Sequence, residues 1–259
     1  MSTRAELQLA LDAAVATSIF DRAVVLDEAR STQDDAKSLC GRGGLVVATV
    51  RQTAGRGTHG RSWADTAHHG LAITYVLPNT AIDLGKLSLA AGAAAAYTCR
   101  MATPEGPLRQ SVGLKWPNDV VCERNGRLHK VGGILIEVHQ GFPLVGIGLN
   151  VSHSLDDLPG DLASQAISLH QLGSTESRAQ VAERLTKALA YTLSRSDSDV
   201  VAVWKKFDRL TGRTARLLHD GRMHEGTVEA IDPLIELQLR TSGGIVISLP
   251  ARSTSVAKD

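Results

Sequence analysis

Cysteine is scarce in this 259-residue chain: only Cys40, Cys99 and Cys122, an odd number with no CxxC pair. That argues against a disulfide framework or a cysteine zinc site and fits a reducing compartment. A strong charge of one sign is also missing. With 28 Lys and Arg against 27 Asp and Glu, the net charge is +1. No global field draws the chain to nucleic acid or to an anionic membrane. Long apolar runs are absent too. The alanine-rich stretch 87–97 is too short to span a bilayer, and Glu6, Gln8 and Asp12 interrupt the N-terminal alanines, unlike a secretory leader. The expectation is a cytoplasmic protein with no membrane partner. No P-loop, HExxH or Ser-His-Asp order appears. What is present is 43% hydrophobic residues, enough for one large core and a smaller appendage.

Periodicity supplies the elements. Leu7, Leu11 and Ala14 recur at helical spacing, which predicts a helix over 4–16. Residues 24–26 are a strand. Ser31 and Thr32 cap a helix over 33–39 that Gly41 and Gly44 stop. The β-branched run 45–50 predicts a buried strand, and 71–77 is another, closed by Pro78. Residues 84–101 form a helix whose small residues suit close packing on a sheet. Extended pieces follow at 112–116 and 120–123. Asn125-Gly126 marks a hairpin, with paired strands at 128–138 and 144–151. The stretch 152–177 is irregular, and helices follow at 178–193 and 200–210. After Gly212, short alternating segments separated by Asp220-Gly221 and Gly243-Gly244 predict a small β barrel. The expected division is 1–210 and 211–259. The residues before Leu26 leave too little room for a helix-turn-helix domain, so no DNA partner is expected.

Lys115-Trp116-Pro117-Asn118-Asp119 puts a cation, an amide and a carboxylate within one short stretch. Proline fixes its own φ and pushes the preceding residue toward extended geometry. Short polar side chains on a restrained backbone suit a preorganised site better than a core. Upstream, Gly55-Arg56-Gly57-Thr58-His59-Gly60-Arg61-Ser62-Trp63 follows a strand. The bare GxGxxG pattern lacks the helix a dinucleotide site requires. What remains is a glycine loop with Arg56 and Arg61, whose guanidinium groups can fork onto carboxylate or phosphate. Downstream, Lys130 precedes Gly132-Gly133. Either its ammonium addresses an oxyanion, with the glycines leaving room for a ligand, or it is a solvated hairpin lysine. Asn150, after Gly146 and Gly148, is either a ligand contact or a plain strand end. His68 and His69 are adjacent on an extended chain and point to opposite faces, so no metal-ligating residue is expected.

In combination these motifs resemble those of the biotin–protein ligases. Gln52-Thr53-Ala54-Gly55-Arg56-Gly57 with Gly60-Arg61-x-Trp63, then Lys115 to Asp119, then Lys130-x-x-Gly133-Ile134-Leu135, then Gly148-x-Asn150 match in order and spacing. The likeness runs from about Val24 through Asn150 and more loosely to the C-terminus. It implies an α+β fold, a mixed sheet with flanking helices related to class II aminoacyl-tRNA synthetases, followed by an SH3-like barrel. It implies ATP and biotin as substrates with Mg²⁺, and transfer of biotin to a lysine of a biotin carboxyl carrier domain of an acyl-CoA or pyruvate carboxylase. A monomer or weak homodimer is expected.

By the same resemblance, Ser31, Thr32 and Gln52 hold the biotin ring system, with Gln33 beside them. Arg56 lies in the loop that covers biotin and the adenylate, with Gly55, Gly57, Thr58 and Arg61. Trp63 falls near the adenine. Lys115, Asn118 and Asp119 handle phosphate, metal and the reacting carboxylate. Lys130 meets the carboxylate and adenylate oxygens, with Gly132 and Gly133 next to it. Gly148 and Asn150 lie toward the adenosine. The catalytic set is Lys130, Lys115, Arg56 and Asp119. Two positions depart from the family: Thr58 replaces a second arginine and Gln33 an asparagine. Thr58 suggests a more weakly held adenylate, unless His59 or Arg61 compensates. The rivals are a lipoate or octanoate ligase on the same fold, a biotin-responsive repressor, and an adenylate-binding protein without catalysis.

Overall fold

The computed structural model describes residues 3–60, 62–63, 69–78, 83–154 and 164–257. Its larger part contains β1 (Arg22–Ala29), β2 (Leu45–Gln52), β5 (Gly70–Val76), β6 (Val112–Lys115), β7 (Asp119–Arg124), β8 (Arg127–His139) and β9 (Phe142–Asn150). These form one seven-stranded sheet in the order β1-β2-β5-β9-β8-β7-β6. β1 and β2 are parallel, and the other pairs are antiparallel. The parallel pair needs a crossover, and α2 (Thr32–Leu39) supplies it. β3 (Gly55–Arg56) and β4 (Ser62–Trp63) make a separate two-residue ribbon. Asn125 (φ 52°) and Gly126 (φ 74°) turn β7 into β8, the left-handed pair a tight hairpin favours.

One face of the sheet carries α1 (Arg4–Val15), α3 (Leu84–Ala102) and α5 (Arg178–Leu193), with α6 (Asp197–Phe207) against α3. Ala90, Ala91, Ala94 and Ala95 are buried in this core, and small side chains let the helices approach closely. Thr3 and Ser177 close capping boxes on α1 and α5. A short helix, α4 (Pro107–Ser111), was not foreseen. α6 begins before the expected residue 200, because the Ser196 side chain accepts from the backbone N–H of Asp199 and caps it.

The opposite face explains where a site can form. Along β9, Val145, Ile147 and Leu149 enter the main core, while Leu144 joins Ala36, Leu45, Val47 and Val76 beneath α2. Alternation puts Gly146, Gly148 and Asn150 on Leu144's face. The α2 side therefore passes from an apolar cluster at one end to a glycine-floored cavity at the other.

Beyond Gly212 lie β10 (Thr214–His219), β11 (Arg222–Asp232), β12 (Glu236–Arg240), β13 (Val246–Pro250) and β14 (Thr254–Val256). They form a separate five-stranded antiparallel sheet around Leu217, Val228, Leu237 and Leu239, consistent with an SH3-like unit. Arg213 pairs with Glu123 and Arg252 with Asp83, joining this unit to the larger part. Among the described residues no helix is long and apolar enough to cross a membrane.

Candidate functional site

At the start of α2, Ser31 is extended (φ −152°) and its hydroxyl makes no capping bond. The Thr32 N–H donates to Gln52 Oε1 at 2.9 Å, and the Thr74 hydroxyl donates to Thr32 Oγ1 at 2.9 Å. Gln33 Nε2 donates to the Leu135 carbonyl at 3.0 Å. Ser31, Thr32, Gln33 and Gln52 are only 2%, 4%, 3% and 8% exposed. Gln33 Oε1 is buried without a hydrogen-bond partner among the described residues. An unmet buried acceptor is costly, by about 1–3 kcal/mol, unless a ligand donor meets it.

The glycines of β8 and β9 leave room for neighbouring protein groups. A Cβ at Gly148 would lie 2.7 Å from the Trp63 ring, and one at Gly146 would lie 2.9 Å from Gln33 Nε2. At Gly132 it would strike Leu149 and the Gly148 carbonyl, and at Gly55 it would strike Gln52. Gly132 and Gly55 stand behind the cavity wall rather than on it. At each of these positions a protein group already stands where a Cβ would go. Trp63 lies on Gly148 and near Gly133, with Lys130 Nζ 5.7 Å from its ring centroid. Its Nε1 is buried without a partner among the described residues.

A bulge aims Lys130. Val120 pairs with Gly132 but Val121 with Lys130, so β8 carries one extra residue, Val131, across that step. Val131 is fully buried in the core. Plain alternation from Gly133 would send Lys130 to the helix side, whereas the bulge turns it into the cavity. Its Nζ lies 2.6 Å from Asp119 Oδ1. The Lys130 backbone is held from both sides: its N–H donates to Gln165 O at 2.7 Å, and its carbonyl accepts from Ile167 N at 2.9 Å and Asn150 Nδ2 at 3.1 Å.

The β6–β7 turn brings Lys115 opposite Asp119. The Trp116–Pro117 peptide within it is cis. Trp116 is 4% exposed and anchors the turn in the core. Asn118 Nδ2 donates to Ile134 O at 2.9 Å and to Thr58 Oγ1 at 3.4 Å. Lys115 has no ion-pair partner among the described residues.

Together these segments enclose a cavity of about 720 Å³. Ser31, Thr32, Gln33, Gln52, Arg56, Gly57, Thr58, Trp63, Lys115, Asn118, Asp119, Lys130, Gly133, Gly148 and Asn150 line it. One end is neutral and hydrogen-bonding. The other carries Lys115 and Lys130 against Asp119, a charge balance that favours an anion. Arg56 is not free, however: its Nη2 lies 2.8 Å from Asp34 Oδ1 and 3.1 Å from Glu137 Oε2. Arg61 and His68 fall outside the described residues. The sequence motifs did not reveal Gln165 and Ala166, or Ser255, Val256 and Ala257 at the C-terminal end, all of which line the cavity. No residue-type signal marks them, because their place follows from the packing of distant segments. Among the described residues no group of three His, Cys, Asp or Glu gathers to hold a metal.

Comparison with known proteins matches the Biotin/lipoate A/B protein ligase family to residues 27–153. A Mycobacterium tuberculosis protein named biotin–[acetyl-CoA-carboxylase] ligase is 39% identical over 150 residues, 56% of this chain and 53% of that one. The chain thus spans about half the length of that relative. The bifunctional ligase/repressor BirA of Bacillus spizizenii is 28% identical over 234 residues, 85% of this chain and 69% of its own. The structure of biotin protein ligase from Aquifex aeolicus in complex with biotin and ATP has a TM-score of 0.78 at 24% identity, over 93% of this chain and 100% of that one. The Leishmania major biotin protein ligase in complex with biotinyl-5-AMP gives 0.59 at 22%, over 89% and 99%. These likenesses are of fold, and they include both the mixed sheet and the C-terminal one.

Proposed function

We propose that the chain is an ATP-dependent biotin–protein ligase, a reading supported by the match of residues 27–153 to the Biotin/lipoate A/B protein ligase family. It joins biotin to ATP as biotinyl-5′-adenylate and passes biotin to a lysine of a carboxylase's biotin carboxyl carrier domain. The observation that carries this reading is the convergence of Lys115, Lys130 and the Arg56 loop on one cavity whose far end is polar and uncharged.

The two ends suit the two parts of the acyl-nucleotide. A ureido ring offers N–H donors and a carbonyl acceptor, which the orphaned Gln33 Oε1, the Ser31 hydroxyl and the Thr32–Gln52 pair can meet. The dithiolane ring of lipoate would leave those groups unmet, and a polar site rejects a ligand that cannot pair with it. In the first step a carboxylate oxygen attacks the α-phosphorus, the bond to the β-phosphate oxygen breaks and pyrophosphate leaves. Both reactants are anionic, so Lys115 and Lys130 lower their repulsion and stabilise charge at phosphorus. Asp119 orients the Lys130 ammonium through their ion pair. In the second step the carrier lysine amine attacks the acyl carbon and AMP leaves.

Mg²⁺ neutralises phosphate charge when bound. Among the described residues Asp119 is the carboxylate lining the cavity, so the ion would be held chiefly by substrate oxygens, as is usual for Mg²⁺. We assign residues 1–210 to catalysis and 211–259 to a C-terminal domain that completes the cavity wall through Ser255 to Ala257, in a cytoplasmic enzyme acting as a monomer or weak homodimer. Pyrophosphate exchange into ATP tests the first step. Exchange that depends on biotin and not on lipoate is expected, whereas exchange driven by lipoate would replace this reading with a lipoate ligase.

A further inference from the structure

Arg56 is the described cation of the glycine loop, yet its guanidinium is turned to the protein. Nη2 meets Asp34 of α2 at 2.8 Å and Glu137 of β8 at 3.1 Å. Lys37 completes the ring, 2.8 Å from Glu137 Oε2 and 3.7 Å from Asp34 Oδ1. Two acids and two bases from three segments thus close on one another at the cavity's edge. Asp34, Lys37 and Glu137 are not among the cavity-lining residues.

The consequences run through the ribbon. Arg56 belongs to β3, whose Gly55 pairs with Trp63 of β4. Trp63 in turn rests on Gly148 beside Lys130. Fixing Arg56 therefore fixes the indole that forms part of the cavity wall. At its base the loop is held by Thr53 N and Ala54 N donating to Ala29 O and Arg30 O. On its far side there is the long Asn118–Thr58 contact at 3.4 Å.

We propose that the Asp34–Lys37–Glu137 cluster is a surface latch that holds the β3–β4 ribbon over the cavity through Arg56. Arg56 is then a positioning residue, not a direct ligand of the substrate anion. The inference builds on the ligase reading and names what governs access to that same site. The side chains are partly solvated, with 39% of Arg56 and 54% of Asp34 exposed, and exposed ion pairs are weak and screened by salt. A weak latch suits a loop that must open to admit a substrate and close again.

The test is backbone amide exchange over residues 53–63 in the ligand-free protein, at low and high salt, for wild type, Asp34→Asn/Glu137→Gln, Arg56→Met and the triple variant. Loss of the latch should speed exchange about five- to tenfold at low salt. Salt should bring wild type to the level of the variants. Arg56→Met should match the double variant and add nothing to it. Equal exchange in wild type and double variant would overturn the latch. So would a faster rate in the triple variant than in the double one. Because no ligand is present, either outcome stands whether or not the chain proves to be a biotin ligase. With substrates, the double variant should raise KM for biotin and leave kcat within about twofold. A further fall in kcat when Arg56→Met is added would return Arg56 to direct contact with the reacting groups.

Discussion

The Lys130 ammonium sits 2.6 Å from Asp119 Oδ1, and two structural devices put it there. The bulge at Val131 turns the lysine off the core face, and the β6–β7 turn delivers the aspartate from the neighbouring strand. The pair places a cation and its orienting carboxylate within the cavity, beside the Trp63 ring.

Removing the cation should remove the chemistry. Lys130→Ala is expected to lower kcat/KM for pyrophosphate exchange by about 10²–10³, the range seen when a group stabilising transition-state charge is lost. Its melting temperature should stay near wild type, because the side chain is partly exposed and, among the described residues, its acidic partner is Asp119 alone. A loss of threefold or less would take Lys130 out of the reaction.

Trp63 depends on Gly148. Gly148→Ala places a methyl 2.7 Å from the indole, which forces the ring off its seat. Overpacking of this kind costs about 1–3 kcal/mol, readable by urea denaturation. The variant should also show a raised KM for ATP. Shortening the obstructing side chain, with Trp63→Leu, should restore stability without restoring nucleotide affinity. Unchanged stability in Gly148→Ala would contradict the contact.

Thr58 lends the loop a hydroxyl where the resemblance to biotin–protein ligases implies an arginine, and that hydroxyl accepts from Asn118. Thr58→Arg should add a charge-assisted bond to the adenylate and slow its release about tenfold. The readout is free biotinyl-adenylate in a rapid filtration assay. Equal release rates would defeat the idea that the loop holds the intermediate weakly.

Burial pushes the Cys122 thiol up from 9.0 to about 11, and Cys99 is raised further by the same cause. Folded-state values above the unfolded ones mean that stability is complete below about 9 and falls as pH rises toward 11. Thiol reagents at pH 8 should therefore label these cysteines only as the protein unfolds. Rapid labelling of native protein at that pH would contradict the buried placement.

Much of the fold was legible because local chemistry and tertiary packing agree. Asn125-Gly126 and Asp220-Gly221 are turns because they tolerate positive φ, and Leu7, Leu11 and Ala14 face the core of α1. The site residues were legible as types: cations, amides and a carboxylate on glycine-rich backbone. Their geometry was less so. Gly132 and Gly133 looked like room for a ligand; Gly133 does line the cavity, but Leu149 occupies the space beside Gly132. Arg56 looked like an anion ligand, and nothing local announced that Asp34 and Glu137 would take it. The bulge that aims Lys130 is a property of pairing between two strands, invisible in either alone. Ser255 to Ala257 join the cavity from the far end of the chain, a closure no local pattern encodes.

We propose that these converging groups bind and activate biotin for transfer. The most direct test is the mass of a biotin carboxyl carrier domain after incubation with the chain, ATP, Mg²⁺ and biotin. One biotinyl group on one lysine is expected, lost when ATP is omitted or Lys130→Ala is used. A carrier of unchanged mass, under conditions where another biotin ligase modifies it fully, would contradict the account.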